Sequence, residues 1–362
     1  MSSSMRITIS DVMRQLRAEG LAVAADESSL RDALHAADES DVPWYVRVFA
    51  GTGAWLATVL LIWFLAATGV VENPQGALAL GVVLVTGAVV LRRRTAVEFL
   101  RHFSVAVSFT GQALLLFGIH GVSDSAFVTG LTAAGLSVVL LRLVPDALHR
   151  FLSAVGGSIA AVIAVGELSL RYGFEGVVLL IVALAAFAWR GGTHAGPERD
   201  EIAVPVGSGL VIALFGLLLF GTAFSDKVRL LESALWRLGG VTTIGITLAL
   251  VLLMLAILDE QGTPRQSPKA LVYLASVVVL GALTLSTPGI IAGAAVLALG
   301  FDRRNPILIG VAACFLLVFG SVYYYSLHLT LLEKSGVLAA SGMLLLLVRQ
   351  VAARTPLARG AA

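Results

Sequence analysis

The sequence predicts an all-α, polytopic integral membrane protein, with about twelve transmembrane helices in paired hairpins behind a short cytoplasmic helical segment. Three observations predict it. Hydrophobic residues make up 58% of the 362 residues and charged residues only 13%, against roughly 45–50% and about 25% in soluble domains. Apolar stretches near the length of a bilayer crossing recur from Trp44 almost to the end of the chain. The basic residues fall in alternate connections between those stretches.

Residues 1–43 are the one segment of soluble character, with four basic residues against eight acidic ones. Ser10 caps a predicted helix that turns Val12, Met13 and Leu16 to one side and ends at Gly20. Ser28 caps a second, with Leu30, Ala33, Leu34 and Ala37 on one face. No uninterrupted apolar run of a cleaved signal occurs in "MSSSMRITISDVMRQLRAEG", so the first membrane helix is expected to act as the insertion signal. Residues 1–43 read as a packing or docking element on the cytoplasmic side, 44–349 as the membrane domain and 350–362 as a cytoplasmic tail.

The apolar segments are, in order, 46–70, 75–91, 103–121, 126–143, 149–169, 174–189, 204–224, 238–258, 270–286, 288–301, 306–326 and 331–348. Helices are the form in which segments at this spacing satisfy their backbone polar groups in lipid. Asn73-Pro74, Thr287-Pro288 and Asn305-Pro306 each place a capping side chain before a proline at the first helical position. Between the seventh and eighth segments, "SDKVRLLESALWR" (225–237) spaces Val228, Leu231 and Leu235 as a helix lying in the membrane interface does.

If the spans alternate from a cytoplasmic N-terminus, 20 basic residues lie inside and five outside: Arg171, Lys227, Arg229, Arg237 and Lys334. Both termini are then cytoplasmic, and the composition, rich in Arg, Ala, Gly and Val, suits a bacterial inner membrane. The segment 288–301 rises only about 21 Å, short of a hydrocarbon core of about 30 Å. It must tilt or re-enter; the charge rule favours crossing, because otherwise Arg303 and Arg304 face outward.

Composition and motifs exclude several function classes. Arginines and lysines are dispersed, which argues against nucleic acid as a partner. The single cysteine, Cys314, sits in an apolar run as a packing residue and permits no internal disulfide. There is no Gly-x-Ser-x-Gly, Walker loop, His-Glu-x-x-His or dinucleotide fingerprint, and the six histidines show no metal spacing. The expectation is therefore no catalytic residue, no cofactor and no metal.

Ionisable groups at membrane depth are the usual pointers to function. Here Glu167 lies roughly 25 Å above Arg150, His120 roughly 27 Å above His102 and Glu333 roughly 24 Å above Arg349, all near the outer boundary. Gln112, about 17 Å above Arg101, is the clearly polar side chain at mid-depth, and an interhelical hydrogen bond is its expected role. The candidate outer-face cluster is His120, Glu167, Arg171, Tyr323, Tyr324, Tyr325, His328, Glu333 and Lys334. Each also has a boundary explanation. Thr330 and Glu333 have capping-box spacing, the tyrosines stand where an aromatic belt does, and Asp124 lies where the next helix needs an N-cap. In "SAVGGSIAAVIAVG", Gly156, Ala160 and Ala164 give a small-residue face for close helix contact.

The block "YYYSLHLTLLEKSGVLAASGMLLLLVR" (323–349), with "DVPWYVRVFAGTGAWLATVLLIWFL" (41–65) and "FSVAVSFTGQALLLFGI" (103–119), resembles the bacterial membrane family called domain of unknown function 4401. The Thr330, Leu331, Leu332, Lys334, Ser335 run carries most of that resemblance. The family pattern leads one to expect an acidic residue near the tyrosines, where this chain has Ser326, Leu327 and His328. The resemblance implies no defined activity, and it implies a small envelope protein with a Gly-Asp-Tyr motif as partner. The expected function is a non-enzymatic membrane scaffold, or partner-binding component of the cell envelope, in contact with the lipid bilayer. The alternatives are a secondary transporter or permease for a small molecule, suggested by the short Pro288-Gly289 helix, and an outer-leaflet enzyme using Glu167, His120 or Glu333.

Overall fold

A computed structural model describes residues 44–69, 72–94, 97–191, 197–221, 240–285, 287–326 and 343. They form eleven helices and no strand: α1 (Trp44–Ala67), α2 (Pro74–Arg94), α3 (Glu98–Ser123), α4 (Ala126–Leu143), α5 (Ala147–Glu167), α6 (Gly173–Arg190), α7 (Pro197–Leu219), α8 (Gly240–Glu260), α9 (Pro268–Leu283), α10 (Pro288–Asp302) and α11 (Pro306–Ser326). Each coincides with one of the first eleven predicted segments. Eight are long and apolar enough to cross a membrane, while apolar runs of 10–17 residues occur at Leu56–Leu65, Ala270–Leu283 and Pro288–Asp302. The twelfth predicted segment apart from residue 343, the two N-terminal helices, the 225–237 helix and the Thr330–Glu333 capping box lie outside the described residues.

Helix starts follow side-chain chemistry. Asn73 Oδ1 accepts from the N–H of Gln75 at 3.0 Å, and Asn305 Oδ1 accepts from Ile307 at 3.0 Å and Leu308 at 3.1 Å, as the Asn-Pro pairs predict. Thr287 precedes α10 without a side-chain cap bond. The cap of α4 is Ser125, whose Oγ accepts from Val128 N–H at 3.3 Å; Asp124, the predicted cap, instead takes a left-handed turn at φ 49°.

The helices group into two units, residues 1–114 and 115–362. In the first, Leu65, Ala77 and Leu114 pack with Leu61, Leu80 and Leu84. Gln112 is buried there, but its Nε2 donates to Ser108 Oγ at 3.3 Å on the same helix, not across helices. One turn of α3 separates the two residues, so the helix itself supplies the nearest acceptor.

The second unit is built on α7, which packs against α5, α6, α10 and α11. Its Val211, Leu214, Phe215 and Leu218 are almost wholly buried. Phe215 stacks on Phe315 of α11 with centroids 4.3 Å apart, and Phe319 completes the aromatic group at 6.1 Å. Packing runs between alternate helices (α5 with α7, α8 with α10) as well as between neighbours, so paired hairpins do not describe it fully.

Gly130 of α4 seats against α5: a Cβ there would stand 2.7 Å from the backbone N of Ala164 and 2.8 Å from the carbonyl of Ala160. The predicted small-residue face is thus real at Ala160 and Ala164. Gly156 faces open space, and its neighbour Gly157 makes the contact, meeting Ser137. Cys314, expected in packing, is exposed.

The short α10 is a buried helix, with Ile291, Ala292, Val296 and Leu299 in the core. Gly289 lies against Phe319, Gly293 against Leu316 and Gly300 against Ile309. That descending register makes α10 and α11 antiparallel along almost the whole of α10. At 15 residues it rises about 22 Å, and α7, α8 and α11 pack around it.

Candidate functional site at the Glu167 end

Of the predicted cluster, the structure brings His120 and Glu167 together through two hydroxyl residues of α4. α5 ends at Glu167: Leu168 caps it, still in the right-handed helical region, and Ser169 turns the chain away at φ 50°. This delivers the Glu167 carboxylate to the N-terminus of α4, where N–H groups lack helical partners and the dipole favours an anion. Ser125 Oγ lies 3.3 Å from both carboxylate oxygens, and the N–H of Phe127 also donates to Oε2.

Thr129 extends the chain of bonds. Its hydroxyl donates to the Ser125 carbonyl at 2.8 Å and lies 3.4 Å from His120 Nδ1. With its one proton already committed, Thr129 accepts, and His120 donates from Nδ1. The ends of α3, α4 and α5 are thereby tied, while His120 and Glu167 stay exposed at the rim.

Arg171 lies in the exposed α5–α6 connection with its guanidinium 5.3 Å from the Tyr172 ring centroid. Tyr323 and Tyr324 are half-buried on the last turn of α11; Tyr325 is helical. His328, Glu333 and Lys334 lie outside the described residues. Among the described residues no group of three or more His, Cys, Asp or Glu is placed to hold a metal ion.

A group of ion pairs lies at the opposite end. Arg190, closing α6, pairs with Glu260 of α8 and lies 3.7 Å from Asp302 of α10. Arg303 lies 4.0 Å from Asp302 and donates to the Trp189 carbonyl. The C-terminal ends of α6, α8 and α10 therefore meet, and the end of α11 lies on the Glu167 side. In the connection after α8, Arg265 bonds Asp259 at 2.6 Å; this hydrogen bond, then the carboxylate's charge, raises the guanidinium above its ordinary range.

Sequence reasoning missed Arg150, which is buried on α5 and donates from Nη1 to the Glu201 carbonyl at 2.8 Å. The signal was present: Pro205 lies inside α7, and a proline leaves the carbonyl four residues before it without a helical donor. That carbonyl belongs to Glu201.

The family description "Domain of unknown function (DUF4401)" matches residues 43–355, and the chain belongs to that family. No curated protein and no solved structure matches the chain.

Proposed function

We propose that this member of a family of unknown function is a non-enzymatic scaffold of the bacterial inner membrane, with both termini cytoplasmic, whose Glu167 end docks a protein of the cell envelope. The observation that carries the reading is the bonded chain His120, Thr129, Ser125, Glu167, which fixes three helix ends and leaves His120 exposed at the rim. A rim tied in this way loses little freedom when a partner binds, which favours docking. Arg171, with Tyr172 beneath it, adds an exposed cation and an aromatic ring, residue types that anchor protein interfaces. Tyr323, Tyr324 and Tyr325, on the last turn of α11 at the same end, extend the proposed surface.

Both oxygens of Glu167 are engaged by α4, which supports a structural carboxylate over an acid–base group. The proposed role requires no cofactor. The bilayer is the protein's other contact, through its membrane-spanning helices.

The test is affinity purification in mild detergent with mass spectrometry, comparing wild type with a His120→Ala, Arg171→Ala double variant of equal thermal stability. An envelope protein retained by wild type and lost from the variant supports the reading; equal retention, or none by either, counts against it. A second reading, a secondary transporter, draws on the short α10 inside the bundle. Substrate-dependent uptake into proteoliposomes is its test.

A further inference from the structure

A groove of about 570 Å³ runs between α4 and α6, with α5 and α7 as its floor. Small side chains make the depth: Ala154, Gly157, Ser158 and Ala161 of α5 lie beneath it. Val138 on one rim and Leu180, Leu184 and Phe187 on the other are exposed. From Ala134 to Arg142 the α4 wall rises about 12 Å, and from Val177 to Ala188 the α6 wall about 16 Å. That is the depth of one leaflet, half of a hydrocarbon core of about 30 Å.

Three serines reach the groove, yet none offers it a free hydroxyl. Ser137 donates to the Ala133 carbonyl at 2.8 Å, Ser158 to the Ala154 carbonyl at 2.7 Å, and Ser153 lies 3.1 Å from His149 Nδ1. The walls therefore suit hydrocarbon and not a polar solute. At the mouth stands Arg142, exposed and without an ion pair or hydrogen bond among the described residues. Asp200 and Glu201, at the start of α7, are exposed and pair with no cation there.

We propose that this groove holds an acyl chain of an anionic phospholipid from the leaflet at the Arg190 end, with the lipid phosphate on Arg142. Length excludes the main competitor, a transmembrane helix, which would need a seat about 30 Å long. Charge selects the headgroup: among the described residues that line the groove Arg142 is the charged one, its guanidinium matches a phosphate in two bonds, and Asp200 and Glu201 lie outside the lining.

The test places a fluorophore at the rim, on Leu184→Cys in a Cys314→Ser background of the full-length protein. Vesicles contain phosphatidylglycerol and phosphatidylcholine in equal parts, with brominated chains on one or the other. Quenching is expected at a roughly fivefold lower fraction of brominated phosphatidylglycerol, the effect of one basic side chain near an anionic membrane surface. Arg142→Lys retains most of that preference and Arg142→Gln abolishes it, while both variants keep the wild-type elution profile. Equal quenching by the two lipids in wild type, or a preference that survives Arg142→Gln, overturns the proposal. Absence of quenching by either also overturns it, since a protein segment then fills the groove.

Discussion

Arg150 of α5 donates a 2.8 Å hydrogen bond to the Glu201 carbonyl of α7, the acceptor that Pro205 deprives of its helical partner. The site is partly buried, and a residue 51 positions away in sequence supplies the donor that the proline removes. The arrangement joins the first turn of one helix to the first turns of another.

This relationship predicts coupling between Arg150 and Pro205. Pro205→Ala restores an N–H to the Glu201 carbonyl, and the effect of Arg150→Met is then expected to be smaller than in wild type by about 1 kcal/mol. Thermal unfolding of the four proteins in detergent measures it. Strict additivity would show that the bond does not serve the proline.

The carboxylate of Glu167 acts as a cap shared between helices. Glu167→Ala is expected to cost about 1 kcal/mol, in the range of N-cap losses, while Glu167→Gln keeps an acceptor and loses less. Ser125→Ala combined with Glu167→Ala is expected to fall short of the sum of the two, because both act on the same α4 terminus. Unchanged melting of Glu167→Ala would release this residue for another role.

Two glycines of the α4–α5 pair are expected to respond in opposite directions. Gly130→Ala pushes a methyl against the Ala160 and Ala164 backbone, which only separation of the helices relieves, and the melting temperature is expected to drop by several degrees. Gly156→Ala meets nothing within 4 Å and is expected to be neutral or stabilising by up to about 1 kcal/mol. Equal behaviour of the pair would contradict the packing described.

The proposed orientation places Val122 outside the cell and Gly262 inside it. In a Cys314→Ser background, an impermeant maleimide applied to intact cells is expected to label Val122→Cys and to reach Gly262→Cys only after lysis. The reverse pattern would invert the assignment without altering the packing.

Much of the fold was legible in the chain. Hydropathy outlined all eleven described helices, because each must be apolar along its length to lie in lipid. The caps at Asn73 and Asn305 followed from sequence because a cap acts within one turn. Asp124 misled for the same reason: Asp and Ser are both good caps, and the backbone turn at Asp124, not side-chain type, passed the role to Ser125.

The candidate site was less legible. Depth counting put His120 and Glu167 near one boundary, but not the hydroxyls of Ser125 and Thr129 that link them. Gln112 was expected to reach across helices, and Ser108 answered it within its own. Nothing in the sequence orders candidate partners by distance when several polar residues are available.

What the sequence by itself determined is composition-driven: a membrane-spanning helical chain, the approximate bounds of its described helices, and membership in a family through residues 43–355. These follow from solvation, which acts on each segment independently. Only the tertiary structure decided that Arg150 serves Pro205, that Glu167 caps α4, that α10 lies buried against α11, and that a leaflet-deep groove opens beside Arg142. These depend on which apolar faces meet, and in a chain apolar on nearly every face that choice is made by side-chain size and by the few polar groups seeking partners.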